Sequence, residues 1–309
     1  MAQSSDTILV FGSLNVDLVT QVRSIARPGE TVLAASYETL CGGKGANQAV
    51  AAARVSAPGR VAMAGRVGAD GFGRICLDNL AANGVHIGHV MQAAEPTGCA
   101  FISVDARGEN AITVASGANA AVSAADAPLA PTGATLILQM EVPLAASLAA
   151  ARQIREAGGR VVWNLAPVPH ELDREALRLL LAAADILVVN EHEAVAAATC
   201  LGNPEAGLEA AGSLLATTGH VTCVVTAGAK GAIAFHPDGS RIDAAAAAIE
   251  PVDTTGAGDT FVGILAASLA DGMDWPAALA RACKGASLAC LAHGAQTSMP
   301  TADALLQRG

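Results

Sequence analysis

The chain has 309 residues, of which 52% are hydrophobic but only 3% aromatic, and a formal net charge of -10. A chain of this size buries a sizeable core, here built mostly from Ala, Val, Leu and Ile, and its apolar content excludes disorder. With no cluster of Lys or Arg, the acidic balance excludes a nucleic-acid or anionic-membrane surface, and no apolar run free of charge, Gly and Pro reaches bilayer length.

Residues 1–7 are polar without a basic leader, so the expected location is the cytoplasm. Buried-strand runs at 8–11, 61–64, 135–139, 161–163, 186–189 and 223–226 alternate with Ala-rich helical stretches. That rhythm predicts one α/β domain over 1–309, with a mostly parallel central sheet and helices on both faces. Two segments, 14–40 and 97–114, alternate without a long helix after them. They are expected to form a small antiparallel β lid outside the main sheet.

Asn15 and Asp17 follow the first strand, at the edge where open α/β sheets bind ligands. Asp17 suits a pair of sugar hydroxyls, although both residues also suit a plain turn. Cys41-Gly42-Gly43-Lys44-Gly45-Ala46-Asn47-Gln48 then opens a helix through a glycine turn that fails the Walker A pattern. There Lys44 can meet a phosphate and Asn47 a hydroxyl, or the segment is only a tight helix entry. Asp70, within the glycine-rich stretch 65–73, reads as a helix cap or a site residue. His86 and His89 read as surface strand residues, and Trp163 and Trp275 as packing. Glu141 follows a strand, as do Asn190, Glu191 and Glu193; a carboxylate at such an edge holds a hydrated Mg²⁺ or serves in a helix cap. The short run 244–248 reads as loop or poor strand, and the seven scattered cysteines suggest neither disulfides nor a zinc site.

The richest segment is Val252-Asp253-Thr254-Thr255-Gly256-Ala257-Gly258-Asp259-Thr260-Phe261, an acidic strand end, a glycine turn and then helical spacing. Gly256, Ala257 and Gly258 thus open a helix, where free amides and the dipole suit an anion. Asp259 beside them can accept a proton from an alcohol attacking a phosphate, or it can merely cap the helix. A dinucleotide fingerprint is disfavoured because the third glycine of GxGxxG is absent.

Together these motifs resemble the ribokinase family of PfkB-type carbohydrate kinases over nearly the whole chain. Gly12-Ser13-Leu14-Asn15-Val16-Asp17 is similar to the family's sugar-binding strand end, and residues 42–49 and 253–261 are similar to its two signatures. The resemblance implies that Asp259 is the base and that Gly256, Ala257 and Gly258 form an anion hole. It implies a sugar site of Asn15, Asp17, Gly42, Gly43, Lys44, Asn47 and Glu141. It further implies a nucleotide side with Asn190, Thr226, Gly228, Gly258 and Cys283. Glu193 would position Mg²⁺ through water, while Asp253, Thr255, carbonyls around Ala289 and Gly294, and Ser298 would hold K⁺. A homodimer paired through the lid is also implied. Two departures stand out: Asn164-Leu165-Ala166-Pro167 where such kinases commonly have Asn-Pro-Ala-Pro, and Cys283 near a place where some members set a histidine against adenine.

The expected activity is ATP-dependent phosphorylation of D-ribose on its primary hydroxyl. The alternatives are the same transfer to 2-deoxyribose, a nucleoside or fructose, or a sugar- or nucleotide-binding regulator without turnover.

Overall fold

The structure is a computed structural model that describes residues 7–129, 131–169 and 171–307. Its first half runs β1 (Ile8–Phe11), β2 (Asn15–Gln21), β3 (Tyr37–Gly42), α1 (Lys44–Val55), β4 (Val61–Gly68), α2 (Gly71–Ala82), β5 (His86–Ala93), β6 (Gly98–Val104), β7 (Asn110–Ala115), β8 (Thr135–Leu138) and α3 (Leu144–Glu156). It continues with β9 (Arg160–Asn164), α4 (Arg174–Ala183), β10 (Ile186–Asn190), α5 (Glu191–Cys200), α6 (Leu208–Gly219), β11 (Thr222–Thr226), β12 (Ala232–Phe235), β13 (Arg241–Ala244), α7 (Ala257–Ala270), α8 (Trp275–Ala289) and α9 (Ala302–Gln307).

Nine strands form the main sheet in the order β13-β12-β11-β10-β9-β8-β1-β4-β5, all running in one direction except β12, which is antiparallel to both β11 and β13 near one edge. In β1, successive side chains point to opposite faces, and both sets are apolar. Ile8 and Val10 join the core under α1, α2, α7, α8 and α9, whereas Leu9 and Phe11 join the core under α3, α4, α5 and α6. Helix α7 is apolar on every side and lies buried, as such a helix must. From β1 the chain moves through β4 to β5, then returns to the other side of β1 with β8 and proceeds outward. The strand order therefore reverses between β1 and β8, which opens a crevice at their C-terminal ends.

The second sheet has four strands in the order β3-β2-β6-β7. Its outer pairs are antiparallel as expected, but the central pair, β2 with β6, is parallel. The cause is topological. Strands β1 and β5 are parallel members of the main sheet, and the chain leaves each of them in the same direction to begin β2 and β6. Between β2 and β3 the stretch expected to be strand is instead loop over residues 22–36.

Asp70 caps α2 by accepting from Gly73 N at 2.8 Å, and it also accepts from Thr97 N at 2.8 Å and from Thr97 Oγ1 at 2.7 Å. One carboxylate thus fixes both a helix start and the entry to β6. Losing an N-cap costs about 1 kcal/mol, and losing charge-assisted bonds adds to that. Asp70→Ala is expected to destabilise the fold by about 2 kcal/mol while leaving kcat within about threefold of wild type, as read by denaturant unfolding and steady-state assay.

Candidate active site

The crevice is built by two glycine turns that meet over β1 and β8. At the first turn Gly43 has φ of 88°, and a Cβ there would strike Asn15 N and Ser13 O. The neighbouring Gly42 lets the Asp17 carboxylate lie over its Cα, a space any side chain would fill. Glu141, just past β8, accepts from Ser13 Oγ and, at 3.0 Å, from Lys44 N, both through Oε2. It therefore braces the turn with one oxygen and lines a cavity of about 380 Å³ together with Asn15 and Asn119. Asn15 is held there by Asn119, whose Nδ2 donates to Asn15 Oδ1 at 2.7 Å.

The second turn ends at Gly256, which has φ of 74° and packs so closely on Ala295 that a Cβ would collide with its backbone. Gly258 faces open space. Its N–H lies in the first turn of α7, where no intrahelical acceptor precedes it. Ala257 departs from expectation, because its N–H turns back to the Thr254 carbonyl at 3.2 Å. The turn must close on itself before the helix can start, which uses that donor. The amides of Gly256 and Gly258 remain as candidate anion donors.

Asp259 is 7% exposed. Its Oδ2 accepts from Asn47 Nδ2 at 2.8 Å and its Oδ1 from Gln48 Nε2 at 2.9 Å. Asn47 was expected on the sugar; here one of its amide hydrogens goes to Asp259, and its carbonyl accepts from Gln296 at 2.9 Å. The reason is that the first turns of α1 and α7 abut, so Asn47 meets a carboxylate before it meets the cleft. Gln48 and Gln296 were not anticipated. Gln48 lay within the quoted motif, but its partner is 211 residues away in sequence.

Two cavities flank the segment 254–258. One, of about 630 Å³, lies between the second sheet, whose β2 carries Asp17, and the loops carrying Asp253, Thr255 and Gly294. The other, of about 550 Å³, is lined by Thr226, Gly228, Gly258 and Cys283, and is mostly apolar. Cys283 is buried there, and its thiol points to Ala244 O at 3.6 Å.

Asn190 and Glu193 form a reciprocal capping box at α5, with both bonds at 2.8 Å, so the capping alternative is realised. Glu193 keeps its second oxygen, and burial pushes its carboxyl above the ordinary value against the Asn190 bond and the Lys44 charge. The Lys44 ammonium stays firmly charged, held up first by Asp259 and then, against burial, by Glu141 and Glu193.

Asp253 accepts from Thr255 N and Gly294 N, each at 2.9 Å. Burial works against its charge, yet bonds from Thr255 and Gly294 and the nearby His293 hold the carboxyl below its ordinary value. Ser298 Oγ donates to Ala295 O at 3.2 Å, which leaves its lone pairs free. Ala289 ends α8, and the next carbonyl, that of Cys290, accepts from Val252 N at 2.8 Å. These are hard oxygen donors, a set that suits a monovalent or alkaline-earth cation and not a soft metal.

A carboxylate facing free helix amides between two cavities, at the switch point of an α/β sheet, is equipped for phosphoryl transfer to an alcohol. The comparisons agree. A model of the pfkB family carbohydrate kinases matches residues 5–302, and the chain belongs to that family. It is 35% identical to a ribokinase from Haemophilus influenzae over 308 residues, covering 97% of each protein. A ribokinase structure from Thermotoga maritima superposes with a TM-score of 0.88 at 29% identity, covering 97% of this chain and 98% of that one. The Arabidopsis thaliana ribokinase complexed with ribose and ATP superposes with a TM-score of 0.84 at 30% identity, covering 97% of each chain.

Burial first, then the Glu141 and Asp259 charges, push the Asp17 carboxyl up to about 6. A sugar hydroxyl donates best to the ionised form, so binding must expel the proton as pH falls below that value. The value of kcat/KM for sugar should drop about tenfold per pH unit below pH 6, and Asp17→Asn should abolish this limb. A flat profile from pH 5 to 8 in the wild type would assign Asp17 no contact with the sugar.

Proposed function

We infer that this protein is an ATP-dependent ribokinase that phosphorylates the primary hydroxyl of D-ribose to give ribose 5-phosphate. The observation that carries the reading is Asp259, a buried carboxylate with an amide donor on each oxygen, beside the open face of Gly258. Asp259 accepts the hydroxyl proton as the oxygen attacks the γ-phosphate of ATP. The Gly256 and Gly258 amides and the α7 dipole stabilise the charge that develops on the transferred group. Asn15, Asp17, Gly42, Gly43, Lys44, Asn47 and Glu141 orient the sugar, and Lys44 also draws the phosphates. The 550 Å³ cavity, with Thr226, Gly228 and Cys283 in its wall, takes the nucleotide, and Asn190 lies toward its phosphates.

The free oxygen of Glu193 fits a hydrated Mg²⁺, which when bound neutralises phosphate charge. Asp253, Thr255, Ser298 and the carbonyls near Ala289 and Gly294 fit K⁺. That ion would preorganise the turn, since Gly256 rests directly on Ala295. The protein is read as a single domain in which the second sheet serves as a lid, and as a cytoplasmic homodimer. Exposed Tyr37 and Phe101 on that sheet support pairing through it.

Asp259→Asn should lower kcat by at least about 10²-fold while sugar and ATP binding persist. Retention of a tenth or more of wild-type kcat would make this carboxylate a cap. An ADP-release assay across ribose, 2-deoxyribose, nucleosides and fructose ranks the substrates, and no turnover with any of them would favour a regulator. Sodium in place of potassium at constant ionic strength should reduce kcat more than it raises KM for ribose, and Asp253→Ala should remove that ion dependence. Full activity in sodium alone would leave the Asp253 loop a purely structural role.

A further inference from the structure

We propose that Gln48 is a positioning residue for the base, fixing the Asp259 carboxylate in its accepting orientation through a buried amide relay. The inference rests on Asp259 being the base. Gln48 is 0% exposed, so it acts through Asp259 and not on the substrate.

The direction of each bond in the relay is fixed by groups whose role has no alternative. On one side the Val188 carbonyl can only accept, so Asn164 Nδ2 must donate to it, at 3.1 Å. Asn164 therefore turns Oδ1 toward Gln48, 3.0 Å away, and that oxygen needs a donor. Gln48 must then present Nε2, whose second hydrogen reaches Asp259 Oδ1 at 2.9 Å. Its Oε1 accepts from Gln139 Nε2 at 2.7 Å. A flipped Gln48 would set its oxygen against two acceptors and its nitrogen against a donor.

The other arm is fixed from its far end. Arg54 Nε can only donate, to Asn83 Oδ1 at 2.8 Å, so Asn83 Nδ2 faces Asn79, donating to its backbone carbonyl at 2.8 Å and to its side-chain Oδ1 at 3.4 Å. Asn79 in turn donates to Gln296, which donates to Asn47 Oδ1 at 2.9 Å and leaves Asn47 Nδ2 for Asp259. Both carboxylate oxygens thus receive a hydrogen whose direction cannot reverse. Two anchored donors, one on each oxygen, stop the carboxylate from rotating. Each oxygen keeps a lone pair for the substrate proton.

The test uses the full chain with MgATP and D-ribose. Gln48→Met keeps length and loses the amide. It should lower kcat about 10- to 100-fold, with ribose Kd by calorimetry within about threefold. Gln139→Met should do the same to a smaller degree, and the double variant should be no worse than Gln48→Met alone, because the two act as one unit. Wild-type kcat in Gln48→Met, or a loss of kcat matched by an equal loss of ribose affinity, would overturn the proposal. If Gln48→Met fails to fold by circular dichroism, Gln139→Met decides: a lowered kcat with ribose Kd within about threefold supports the relay, and an unchanged kcat overturns it. An active Asp259→Asn would instead sink the assignment of the base itself.

Discussion

The site depends on how closely α1 and α7 approach. At Gly263 of α7 a Cβ would collide with Ala51 Cβ and the Gln48 carbonyl of α1, so the two helices touch nearly backbone to backbone. A glycine inside a helix costs about 1 kcal/mol in propensity, and the close packing offsets that cost. The functional return is that the first turns of both helices meet over the β1 and β8 crevice. One delivers Lys44, Asn47 and Gln48; the other delivers Gly258 and Asp259. A larger residue at 263 would separate Asp259 from its amide donors on α1.

An acidic protein that handles a polyanion faces an electrostatic problem, which is met here locally. Asp17, Glu141, Glu193 and Asp259 all bear on the crevice, and Lys44 is the cation in their field. Asp259 above all, then Glu141 and Glu193, strengthen the hold of Lys44 on its proton, while burial, with the Glu141 and Asp259 charges, lifts the Asp17 carboxyl to about 6. The start of α7 offers an anion a further attraction through neutral dipoles. Backbone dipoles neither titrate nor swing, and they hold an anion without adding side-chain charge to be desolvated.

Much of this was legible in the chain. The strand runs at 8–11, 186–189 and 223–226 appear as strands, and both glycine turns open helices. Asp70 caps α2, and His86 and His89 lie exposed on β5, because such features follow from local periodicity and capping chemistry. What escaped was set at long range. The parallel pairing of β2 with β6 depends on the direction in which two distant strands leave the main sheet. The partners of Asp259 lie 211 and 212 residues away, and nothing near Asn47 or Gln48 tells which way an amide will face. The engaged amide of Ala257 escaped for a different reason, since a glycine turn specifies its dihedral angles better than the destination of each N–H.

The second sheet has one further mechanical property. The starts of β2 and β6 and the ends of β3 and β7 all lie at the same end, so every chain crossing between the two sheets runs through one row near Asn15, Gly42, Gly98 and Ala115. The opposite end carries only the loops at 22–36 and 105–109. The sheet is therefore a cantilever, rooted where Asn15 and Gly42 border the crevice and free at its tip. A tilt of about 10° at the root carries the tip of a seven-residue strand through roughly 4 Å, at about 3.3 Å of rise per residue. Whatever grips the tip, including a second copy of the chain, gains leverage over the mouth of the crevice without touching a residue that meets the substrate.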